Sequence, residues 1–97
     1  MKRRFWIDSW QWDDDNLAEL ADHGISWMTV EEVAHENPRF RRNKKRRAAI
    51  RQMIGPDNGR KMWTICIRPI PEQPGMWRAI TGWLSEEHEK AWYERSL

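Results

Sequence analysis

Few side chains in this sequence can carry chemistry near neutral pH. The imidazoles are His23, His35 and His88. Their spacing fits no metal-ligand pattern, alone or with Cys66, so neither a metal nor a cofactor is expected. His23 reads either as a proton donor and acceptor or as a helix-end residue bonding backbone carbonyls. Cys66, the one cysteine, alternates with Trp63, Ile65 and Ile67 in an interior-looking run. It reads as a small core residue and not as a nucleophile. The turn formers of residues 55–59 lack the Lys-Ser/Thr of a phosphate loop.

The stronger signal is electrostatic. The net charge is only +2, yet it is segregated. Residues 1–36 hold nine acids and three bases, and residues 39–70 hold eleven bases and one acid, Asp57. The densest run is Arg39, Arg41, Arg42, Lys44, Lys45, Arg46 and Arg47, with Arg51 just beyond. Such a block is a polyanion-binding patch, most often for nucleic acid, or else a solvated loop. It offers only Phe40 for burial, so it should be exposed, as a loop or strand entry. Trp6, Trp10 and Trp12 crowd one short segment and cannot all be buried. They suit base stacking or a protein partner, and the acidity of their segment favours the protein.

These residues need a scaffold, and 97 residues with 39% hydrophobic composition are enough for one domain, 1–97. Eight of the eleven aromatics are Trp, and disordered chains are poor in aromatics. No apolar run approaches the ~20 residues of a membrane span. The acidic, Trp-rich segment after the basic start is no signal-peptide core. With a single cysteine, a cytoplasmic protein is expected. Asp13 caps a first helix, with Trp12 and Leu17 as a hydrophobic staple and Gly24 as its stop. The Thr29 to Glu32 spacing reads as a capping box opening a short helix over 30–36, which Asn37-Pro38 ends. Strands are expected over 48–54, 62–70 and 76–84, the first two joined by the 55–59 turn. In the third, Trp77, Ala79, Thr81 and Trp83 share a face. Ser85 caps a last helix over 86–95, and residues 5–10 add a possible edge strand. The fold class is α+β: two N-terminal helices, a three- to four-stranded antiparallel sheet and a C-terminal helix.

In order along the chain stand Trp12-Asp13, Asn16, Leu17, His23-Gly24-Ile25-Ser26, Glu36-Asn37-Pro38, Gly59-Arg60, Arg78-Ala79-Ile80-Thr81-Gly82-Trp83, Glu89 and Tyr93. This ordered set resembles the BrnT family of bacterial toxins from toxin–antitoxin pairs, over most of residues 12–93. Two positions depart from the family pattern: Trp83 and Gly55 stand where the family carries Arg. With Ile54-Gly55-Pro56-Asp57, the departures look like a bacterial and phage branch. The resemblance implies a RelE-like fold, metal-independent RNA cleavage, growth inhibition and a small antitoxin partner.

Such cleavage needs a base for the 2′-hydroxyl, an acid for the leaving oxygen and cations for the phosphorane-like charge. The candidates are His23 and Glu89 for protons, Arg60 and Arg78 for charge, and Tyr93 to orient phosphate. Each has a plainer reading, and Glu89 paired with Arg78 could simply hold the fold together. Two functions therefore stand side by side. One is a ribonuclease toxin held by a small antitoxin. The other is a catalytically inactive toxin-fold protein that inhibits a host process by binding a host protein or nucleic acid. A homodimer is compatible with both.

Overall fold

The computed structural model describes residues 6–43 and 51–97. Its elements are β1 Ser9–Trp10, α1 Asp14–Ala21, α2 Trp27–His35, β2 Arg39–Arg42, β3 Arg51–Pro56, β4 Met62–Pro69, β5 Met76–Leu84 and α3 Glu87–Ser96. The sheet order is β1-β5-β4-β3-β2, with β1 parallel to β5 and the other pairs antiparallel. The α+β class holds. The sheet, however, has five strands and is mixed, where three or four antiparallel strands were expected. The first extra strand is β1, at the edge the sequence placed within 5–10. The second is β2, in which Arg39, Arg41 and Arg42 of the basic run take strand geometry beside β3.

Local chemistry sets the helix ends. The Asp13 carboxylate accepts from Asn16 N at 3.1 Å, and Asn16 Oδ1 accepts from Asp13 N at 2.9 Å, closing a capping box. Asn16 is buried, and its amide donates to Gln11 O and Ala79 O, which ties α1 to β5. At the other end Gly24, with φ +77°, takes a left-handed conformation. Its N–H bonds Ala21 O while Ile25 N–H bonds Leu20 O, a Schellman closure over two buried side chains. The chain therefore re-enters helix at once. Ser26, not Thr29, caps α2, its Oγ accepting from Thr29 N. The expected Thr29–Glu32 box fails because Thr29 is already the third helical residue. Likewise Glu86, not Ser85, is the N-cap of α3. Ser85 is buried and bonds Thr64.

The core lies between the sheet and the α1–α2 layer. Leu20, Ile25, Val30 and Val33 meet Met53, Trp63, Ile65, Ile67, Trp77 and Ala79. The strand alternation of Trp63, Ile65 and Ile67 is as expected, and β5 spans the expected residues. Its faces are not as expected, because Cys66 pairs with Thr81 while Ile67 pairs with Ala79. This one-residue bulge at Ile80 reverses the pleat. Trp77 and Ala79 enter the core, whereas Trp83 lies opposite Thr64 and bonds Glu89 on the α3 side. Trp83 and Trp92 are half-buried there, outside the main core. Two glycines permit close contact between layers. A Cβ on Gly55 would stand 3.1 Å from Pro38 Cα, and one on Gly82 2.9 Å from both Ile25 Cδ1 and Thr64 O. No helix among the described residues is long and apolar enough to cross a membrane.

Candidate functional site

Glu89 sits at the centre of a polar cluster between α3 and the sheet. It is 3% exposed. As the third residue of α3 its Oε1 accepts from Glu86 N at 2.8 Å, Thr64 Oγ1 at 3.0 Å and Trp83 Nε1 at 3.0 Å. Trp83 Nε1 also lies 3.2 Å from Oε2. Thr64 spends its proton on Glu89, so Ser85 donates to Thr64 Oγ1 at 2.8 Å and completes the relay. Arg41 closes the cluster from β2. Its Nη2 is 4.0 Å from Glu89 Oε2, its guanidinium lies 4.9 Å over the Trp92 ring, and its Nε donates to Gln52 at 2.8 Å. Burial, reinforced by the Glu89 charge, pushes the neighbouring Cys66 thiol up to about 11, so that sulfur stays protonated.

Arg78 is not the partner of Glu89. It forks onto Asp13 at 2.8 and 3.0 Å and reaches Gln11 Oε1 at 3.0 Å. The guanidinium, with help from Asn16 N–H, holds the Asp13 carboxyl down at about 2. Asp13 in turn raises the Arg78 pKa. The pair fastens the α1 N-terminus to β5 and occupies the fork that would grip a phosphate. Tyr93 is buried, and its hydroxyl donates to Asn37 O at 2.9 Å, clamping the link from α2 to β2. Arg60 is exposed in the β3–β4 turn at φ +72°. That turn is built by Asp57, which accepts from Gly59 N, Lys61 N and Trp63 Nε1. Burial works to raise the Asp57 carboxyl, and these donors outweigh it and lower it. His23 is exposed and 3.2 Å from Glu19 Oε2, which also accepts from Thr81 Oγ1 at 2.9 Å.

The five candidates therefore do not converge. Arg60 flanks the start of β4, and Arg78 pairs with Arg68 near its other end. Six strand steps separate those positions, about 20 Å, too far for both to grip one phosphate. His23 and Glu89 come nearer, through Thr81 and Trp83 on β5. Glu89, however, is saturated by donors. Gly55 faces Pro38 and Val33, where an Arg side chain has no room, and Trp83 serves Glu89 as a donor.

The basic run divides. Arg39 donates to Ser96 O and Asn37 Oδ1 at the sheet edge, and Arg41 turns inward. Arg42 is exposed and lies directly opposite Arg51 across β2 and β3. Lys44, Lys45, Arg46 and Arg47 lie outside the described residues, as does the expected strand start at 48–50. The Trp trio behaves as its crowding requires. Trp6 is 54% exposed, while Trp10 and Trp12 are half-buried and stacked with centroids 6.3 Å apart. Sequence reasoning missed the Arg41–Gln52–Trp92 contact and the Ser85–Thr64 relay. The available signal was the polar alternation of Thr64 and Cys66 along β4. The chain matches no known protein-family model, and no characterised protein matches it in sequence.

Proposed function

We propose that this chain is a BrnT-like growth inhibitor on a RelE-like scaffold that acts by binding RNA along its β2–β3 edge and does not cut it. One observation carries the reading: Arg42 and Arg51 face each other directly across the edge hairpin. The opposed arginines concentrate positive charge at this edge of the sheet, where a phosphate can bridge them. In sequence, Lys44, Lys45, Arg46 and Arg47 add four more cations between β2 and β3. The dispersal of His23, Arg60, Arg78, Glu89 and Tyr93, three of them committed to packing contacts, argues against cleavage. A small antitoxin or a host protein completes the system.

The nuclease reading keeps one supporting observation, the exposed Glu19–His23 pair, which is able to move a proton. Purified full-length chain on end-labelled RNA separates the two. Retention should fall steeply with salt, and charge reversal at Arg42, Lys44 and Lys45 should abolish it and flatten the salt slope. Growth arrest in a producing strain should survive His23→Ala and Arg60→Ala and be lost on charge reversal. RNA fragments formed by wild type and absent with His23→Ala would establish the nuclease instead. Failure of wild type to retain RNA at low salt would end the nucleic-acid reading.

A further inference from the structure

At the opposite edge of the sheet the residues around β1 run alongside α2 and leave a cavity of about 390 Å³ between them. Its walls include Ile7, Ala34 and the stacked rings of Trp10 and Trp12. Two carboxylates also line it, Asp8 from the β1 segment and Glu31 from α2, with His35 4.0 Å from Glu31. A second hollow, lined by Trp6, Ile7, Ala34, Pro38 and Phe40, continues it along α2. The second hollow is lined by apolar side chains, and the cavity mixes apolar walls with the two carboxylates, Ser9 and His35.

We infer that this groove docks an arginine-bearing segment of a protein partner, the guanidinium entering the cavity and apolar neighbours filling the second hollow. Three features select this occupant. A planar cation gains from indole faces, and Trp is the best of the aromatic partners. The two carboxylates supply the opposite charge and match the guanidinium fork. The following segment carries Asp14, Asp15 and Asp22, whose negative charge favours a basic partner over nucleic acid. Asp8 is already positioned, because its Oδ2 accepts from Trp6 Nε1 at 2.9 Å and its backbone N bonds Gly75 O. The cavity itself is lined only by residues within 7–12 and by α2, away from the arginines of the β2–β3 edge, so the inference does not need RNA to be held there; only the second hollow reaches β2, through Phe40.

The test is indole N–H NMR of the full chain titrated with a short leucine–arginine peptide and with its citrulline counterpart, which is neutral but of the same shape. The Trp10 and Trp12 signals should move saturably with the arginine peptide and hardly with citrulline. Trp12→Leu should weaken binding by about fivefold or more. Glu31→Gln should weaken it by about two- to fivefold with the melting temperature unchanged. The absence of a saturable shift at millimolar peptide would overturn the inference, and so would equal shifts with citrulline. A third result would overturn it as well: Trp10 and Trp12 signals that move, without peptide, when Lys2, Arg3 and Arg4 are replaced by Gln. The chain's own basic end would then be the occupant.

Discussion

Asp13 illustrates how one carboxylate can serve a helix and a sheet together. It caps α1 and receives the Arg78 fork, and both contacts favour its ionised form. Its pKa falls from 3.8 to about 2 on folding. A depressed carboxylate stabilises the fold above the unfolded value and loses that contribution as pH drops through the folded one. Stability should therefore decline between about pH 4 and pH 2. Asp13→Asn should remove that part of the decline, as acid titration followed by circular dichroism would show. Glu89 makes the contrasting case. Glu89→Ala would leave Thr64 Oγ1, Trp83 Nε1 and Glu86 N without their acceptor in a buried site. A buried orphan donor costs about 1–3 kcal/mol, so the variant should lose at least about 2 kcal/mol in denaturant unfolding. Glu89→Gln, which keeps one acceptor oxygen, should lose less.

Among the elements, α2 gives the sharpest check on local assignment. Ser26 bonds Thr29 N as its cap. Ser26→Ala should therefore cost about 1 kcal/mol in thermal unfolding. If Thr29 were the cap, as its spacing to Glu32 suggests, Thr29→Ala would show the larger loss. Gly82→Ala should destabilise by about 1–3 kcal/mol, because the new Cβ meets Ile25 and the Thr64 carbonyl with nowhere to shift. Much at this scale was legible in sequence. Residues 76–84 are rich in Trp, Ile and Thr and are bounded by Pro74-Gly75 and Ser85, so the extent of β5 could be read to the residue. The Asp13 cap and the Gly24 stop were equally plain. The bulge at Ile80 was not, since a one-residue register shift depends on what β4 presents across the ladder. The destination of Arg78 went with it. Nothing local in the sequence says that Asp13, 65 residues away, reaches that guanidinium before Glu89 does. The basic run reads equally as a loop or a strand entry, because it has no apolar alternation of its own and β2 takes its geometry from β3.

Across the whole molecule, the segregation of charge along the sequence becomes segregation across the sheet. The acidic β1–α1 segment lies at one edge and the arginine-rich β2 at the other. Cations on an open edge strand also discourage sheet-to-sheet pairing between copies. Neutralising Arg39, Arg41 and Arg42 together should therefore raise concentration-dependent aggregation in light scattering, beyond any effect on RNA retention. Arg39→Gln alone, which loses the bond to Ser96 O, should mainly loosen the end of α3.

The parallel pairing of β1 with β5 places the beginning of the chain against a strand made 67 residues later, Ser9 beside Met76. During synthesis at about 5–20 residues per second, that partner arrives roughly 3–13 s after Ser9 itself. Until then Gln11 and Asp8 have no carbonyl at Trp77 or Gly75 to bond. The tryptophan groove is thus among the last surfaces to exist, and a shortened translation product ending before residue 75 cannot display it. A partner that reads this groove would in effect recognise only chains whose sheet has been finished.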